Sequence, residues 1–92
     1  MPYKITNYTK EKAKKLGVEV RRSMRKGKKI AVYKDNKKVA DIGATGYFDY
    51  PTYLSMFKKD FADDKRRLYR IRHAGEQKKI GSPGYYAWHL LW

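Results

Sequence analysis

The chain has 92 residues, with 23 Lys and Arg against 9 Asp and Glu, a formal net charge of +14 and no cysteine. That length accommodates one domain over residues 1–92, and the missing thiols exclude disulfides and thiolate metal sites. With 41% hydrophobic and 15% aromatic residues, the chain can build a core despite its charge, and so basic a balance favours polyanionic partners: nucleic acid first, then an acidic protein surface, then an anionic membrane.

Residues 1–17 contain no apolar run of signal-peptide length, and no stretch approaches the roughly 20 apolar residues of a membrane-spanning helix. The expectation is a soluble intracellular product, or one packaged from the cytoplasm, and the sequon Asn7-Tyr8-Thr9 reads as chance. Thr9 is the expected N-cap of a short helix that carries Ala13 and Leu16 on one face and ends at Gly17. Tyr8, just before that cap, is placed to staple against Ala13. From Val18 the period becomes two, with Val18 and Val20 alternating with Glu19 and Arg21. "MRKGKK" supplies a glycine turn, and "KIAVY" a returning strand with Ile30 and Val32 on one face. "KDNKK" supplies a tight turn, and "KVADIGA" a third strand. The fold class is therefore α+β: a small three-stranded antiparallel meander over residues 18–44, packed against two to four short helices.

"DYPTYLSMF" reads as a short helix beginning at Pro51. "DFADDKRRLYRIRHAG" reads as a longer one, capped by Asp60, with Asp63 and Asp64 in its first turn, Arg70, Arg72 and His73 in its last, and Gly75 after it. Its expected apolar stripe is Phe61, Leu68 and Ile71, with Asp63 and Arg67 as an i,i+4 pair. "EQKKIGS" is a linker. Ser82 as N-cap and Pro83 at the first helical position then lead "SPGYYAWHLLW" into about two helical turns, which need tertiary packing to persist. Tyr85, Trp88 and Leu91 or Trp92 share one face, with Tyr86 and Leu90 beside it. This aromatic segment is expected to be the lid that covers the apolar face of the sheet, with Trp88 as a core ring.

Two basic clusters are the candidate polyanion-binding residues. Arg21, Arg22, Arg25, Lys26, Lys28 and Lys29 surround the first hairpin turn, where Gly27 permits close backbone approach to consecutive phosphates. Arg66, Arg70 and His73 follow i, i+4, i+7 spacing on the main helix, with Arg67 near that face and Arg72 turned toward the apolar one. Arginine suits bidentate phosphate or carboxylate contact, but these side chains could equally pair with Asp49, Asp60 and Asp64. Interleaved tyrosines at 33, 47, 50, 53 and 69 could stack on single-stranded bases, although packing is their commoner role. No helix-turn-helix, zinc-finger, RNA-recognition or KH signature occurs, so the pattern does not support sequence-specific reading. His73 and His89 lie in no metal or triad spacing, and "GATG" is too short for a nucleotide fingerprint. Asp63-Asp64 point about 100° apart on a helix and share a site poorly. The expectation is no catalysis, no cofactor and no metal.

The segments "YTKEKAKKLGVEV", "RKGKKIAVY", "KKVADIGATGYFDYPTYL", "RRLYRIRH" and "GSPGYYAWHLLW" together resemble a family of short basic, largely uncharacterised proteins of large double-stranded DNA viruses of algae and other protists. The likeness covers nearly the whole chain. It is most distinctive from Ile42-Gly43 to Gly46-Tyr47, at Asp49-Tyr50, along Arg66 to His73, and from Ser82 to Tyr86 with Leu91-Trp92. Met24 stands where family members carry Thr. The resemblance implies a product of the infected cytoplasm or nucleus that is packaged in the virion, and it supplies no catalytic residue. The expectation that follows is a non-enzymatic structural protein, a minor capsid or core component touching capsid or core proteins and the genome. The alternative is a sequence-independent nucleic-acid-binding protein of packaging or regulation.

Overall fold

The structure, a computed structural model, describes residues 3–92. Helix α1 (Asn7–Leu16) leads into strands β1 (Glu19–Arg22), β2 (Lys28–Lys34) and β3 (Lys37–Ala44). Helices α2 (Tyr50–Met56) and α3 (Lys59–Arg72), a 3₁₀ turn at Glu76–Lys78 and helix α4 (Pro83–Leu91) follow. The strands form one antiparallel sheet in the order β1-β2-β3, so the fold is the α+β meander read from the alternation. Asp35 and Asn36, with φ of 52° and 65°, make the two-residue β2–β3 turn. Both lie in the left-handed region, which matches the twist of the flanking strands and which Asp and Asn tolerate.

Register puts Val20 opposite Val32, Val32 opposite Ala40 and Ile30 opposite Ile42. This apolar face packs with Ala13 of α1 and with Tyr86, Leu90 and Leu91 of α4 to form the core. The C-terminal segment is thus the lid, capped as expected by Ser82, whose hydroxyl accepts from the Tyr85 amide at 3.1 Å. The buried positions differ in part. Tyr86, Leu90 and Leu91 are buried, while Tyr85 and Trp92 pack half-buried at the margin. Trp88 is half-buried beside Tyr69 and under the Arg70 guanidinium rather than in the core. Helix α4 packs on β3 and also against α1, so it buries two adjoining faces, not the single stripe that periodicity picks out.

Three further expectations shift. Thr6, not Thr9, caps α1. Thr9 is fully buried and donates to the Leu90 carbonyl at 2.9 Å, so the second of two threonines three residues apart ties α1 to α4. Tyr8 does not staple Ala13: its ring meets Tyr50 at 5.4 Å and its hydroxyl donates to the Trp92 carbonyl at 3.3 Å. Helix α3 begins after Lys58 without a side-chain cap, and Asp60 lies in its first turn.

The apolar stripe of α3 is not its packed face. Phe61, Leu68 and Ile71 are 44%, 39% and 61% exposed, whereas Ala62 is buried. The packed face runs through Ala62, Arg66, Tyr69 and Arg70, long side chains that bury their stems and rings while their heads find partners. Arg66 lies 4.0 Å above the ring of buried Tyr50. Tyr50 in turn donates to Asp63 at 2.6 Å, which ties α3 to α2.

Candidate polyanion-binding surface

The β1–β2 hairpin divides its six cations into three kinds. Arg21 projects from the outer sheet face, 3.3 Å from Glu19 and 4.6 Å above the Tyr33 ring. Both partners of that ion pair are well exposed, so the contact is weak and the guanidinium stays accessible. Arg22 ends β1 and is exposed, Arg25 and Lys26 sit in the exposed turn, and Lys28 is half-buried at the start of β2. Among the described residues, none of these four lies within ion-pair distance of an acid.

The turn is braced from within. The Ser23 hydroxyl donates to Asp41 at 2.7 Å and accepts from the Arg25 amide at 3.0 Å. Gly27, at φ 84°, closes the loop in the left-handed region, where a side chain would be strained. Hydrogen bonds from Lys38 and Ser23 hold the Asp41 carboxyl below its usual range against the opposing effect of burial. Asp41 therefore stays ionised, held by Lys38 at 2.9 Å and by the Ser23 hydroxyl at 2.7 Å.

Lys29 corrects the sequence reading. It is 5% exposed, points away from the tip, and donates to the Tyr47 carbonyl and to Asp49, the latter at 3.1 Å. Asp49 also accepts from the Tyr3 hydroxyl at 2.8 Å, the Thr52 amide at 3.0 Å and the Thr52 hydroxyl at 2.6 Å, so it caps α2 as well. Burial, then the Asp49 charge, pushes the Tyr3 hydroxyl far above its ordinary range, so Tyr3 remains a donor to that carboxylate. Gly43 opens the route for Lys29: a Cβ there would stand 3.0 Å from Lys29 Cδ and 2.9 Å from Leu91 Cδ1, closer than real contacts allow. An ammonium so buried and already paired with a carboxylate is out of reach of an external phosphate, so Lys29 leaves the candidate set. It belongs to the hub that anchors the hairpin's root.

Of the α3 arginines, Arg66 and Arg70 are half-buried and partnered within the molecule, while Arg67 and Arg72 are exposed. Arg67 pairs with Asp64 at 2.7 Å, and Arg66 lies 3.6 Å from Asp63. The expected Asp63–Arg67 pair is replaced by these i,i+3 contacts and by Lys59–Asp63 at 2.6 Å. Arg70 donates to the Trp92 carbonyl at 3.1 Å and covers Trp88. His73 approaches Glu76 at 3.0 Å. Arg66, Arg70 and His73 fasten α3 to α2, to the C-terminal segment and to the 3₁₀ turn, whereas the Arg67–Asp64 pair lies within α3 and is as exposed as that of Arg21.

Two cations missed in the sequence join the surface instead. Lys10 and Lys14, one turn apart on α1, line a shallow cleft with Val18, Val20 and Arg21 along the β1 edge. The i,i+4 spacing within "TKEKAKK" carried that signal, but it becomes a surface only when α1 packs beside β1. Among the described residues, no three His, Asp or Glu side chains gather as a metal site, and no helix is long and apolar enough to cross a membrane.

A family of unknown function (DUF5754) matches residues 18–52, which span the sheet, the Lys29–Asp49 hub and the entry into α2. Comparison with curated proteins and with solved structures returns no match.

Proposed function

We propose that this chain is a non-enzymatic basic module that meets a polyanion through the tip of the β1–β2 hairpin, acting as a small structural component of a large DNA virus particle. The observation that carries the binding reading is the set Arg22, Arg25, Lys26 and Lys28, gathered on a braced turn and outside ion-pair distance of any acid among the described residues. Arg21, Lys10 and Lys14 continue the positive surface along the sheet edge. Such an arrangement neutralises phosphates without reading bases. The particle setting is drawn from the motif resemblance alone, and the position we propose within it is the capsid's inner side or the core, against acidic capsid protein or packaged genome.

Salt titration tests the binding. If about four phosphates are neutralised, log affinity for duplex DNA falls with log salt at a slope of about −4. Replacing Arg22, Arg25, Lys26 and Lys28 with Ser flattens that slope while the fold persists. Duplex affinity that stays constant with salt overturns the electrostatic reading. Mass spectrometry of purified particles tests the setting: the chain is expected beside the capsid proteins, and its absence there leaves the packaging or regulatory alternative, which uses the same surface.

A further inference from the structure

Next to the hairpin tip lies a half-open cleft of about 370 Å³ between β3, the loop before α2, the end of α3 and α4, within the ~300–1,000 Å³ typical of ligand sites. Its walls are aromatic. Phe48 meets Tyr53 edge-on at 5.4 Å, and Tyr53 lies 6.3 Å from Trp92. Trp92 stacks on Tyr69 at 4.3 Å and 5°, and Tyr69 stacks on His73 at 4.2 Å. That three-ring stack fixes one wall before any ligand arrives. Arg72, exposed and outside ion-pair distance of any acid among the described residues, also lines the cleft.

The cleft and the basic tip form one surface. Ala44 lines the cleft and pairs with Lys28, while the Thr45 amide donates to the Gly27 carbonyl at 3.0 Å. An aromatic recess lined by Arg72 and by the Lys29–Asp49 pair, and continuous with the basic tip, matches a chain that alternates negative charge with planar rings. A duplex keeps its rings stacked inside and cannot offer them; a single strand can. We propose that this cleft takes a base of a single-stranded nucleic acid, while neighbouring phosphates meet Arg72 and the hairpin tip. The inference rests on the polyanion reading and names its substrate class.

The test compares oligonucleotides of equal phosphate count, about 12 nucleotides long: an oligothymidine, an abasic strand and a duplex, measured by fluorescence anisotropy with the full chain. The oligothymidine is expected to bind about tenfold more tightly than the abasic strand, the scale of one stacked base. Phe48→Ala with Tyr53→Leu brings it down to the abasic level, and a thermal melt checks that this variant still folds. If the variant does not fold, Phe48→Ala alone, at a half-exposed ring, must still narrow the gap. Equal binding of oligothymidine and abasic strand overturns the inference while leaving phosphate neutralisation standing. Equal or tighter binding of the duplex also overturns it. Binding of none of the three overturns both readings.

Discussion

Lys29 and its neighbours Arg25, Lys26 and Lys28 are all cations in one short run, yet burial separates Lys29 from the rest. Removing an exposed tip cation leaves nothing unpaired. Truncating Lys29 strands the Asp49 carboxylate, which is 1% exposed, and breaking a buried pair from one side costs about 3–5 kcal/mol. Lys29→Ala is therefore expected to unfold the domain or lower its denaturation midpoint sharply, while the four-fold tip variant melts like the parent; equal melting of the two would contradict the hub. His89 makes a pH prediction at the same scale. Burial lowers its pKa below the usual 6.5, outweighing a backbone hydrogen bond at Gln77 that raises it, and its Nε2 has no hydrogen-bond partner. A depressed folded pKa means the unfolded chain takes up the proton first. The stability from neutral His89 is thus complete above pH 6.5 and lost as pH falls through the folded value. Midpoints from about pH 7.5 to about pH 5 should fall more steeply in the parent than in His89→Gln, and an identical fall in both would remove His89 as the cause.

At the scale of elements, α4 and α3 show what periodicity can and cannot deliver. The caps and the aromatic density of "SPGYYAWHLLW" announce a buried helix, and the strands are announced by alternation and by the Asp35-Asn36 turn. Which side of α4 is deepest depends on α1 lying across it, and that is not written in the helix itself. Leu90→Ala is accordingly expected to cost about 2–5 kcal/mol as a cavity in the core, and Trp88→Ala about half as much, measured by chemical denaturation; the reverse order would restore the tryptophan to the core. Helix α3 misleads for a different reason. Its aliphatics look like a core stripe, but α2 offers Tyr50, a ring better matched by an arginine stem and guanidinium. The hairpin surface was legible because a run of cations about a glycine needs only local geometry. The burial of Lys29 was not, since it depends on Gly43, Tyr47 and Asp49 folding back over it.

For the molecule as a whole, a net charge of +14 makes compaction work against its own field. The pairs of Lys29, Lys38, Lys59, Arg66 and Arg67 draw on Asp41, Asp49, Asp63 and Asp64, four of the nine acids, so most of the positive charge has no internal partner to offset it. The melting temperature should therefore rise as salt increases from about 0.05 M to about 0.5 M, where screening shortens the reach of that field. A melting temperature that drops over the same interval would mean that the surface ion pairs, not the repulsion, dominate. A polyanion should raise it further at fixed salt by binding only the folded state.

The Asp49 carboxylate joins the N-terminal segment, the second strand and the start of α2 at one point. Three attachments that could have loosened separately must then come apart as a unit. Amide exchange in the middle of β2 and in the last turn of α2 should share a single opening rate, and substitutions at Tyr3, Lys29 and Thr52 should combine with penalties that do not add. An opening of one of these segments is thereby expected to carry the other two with it.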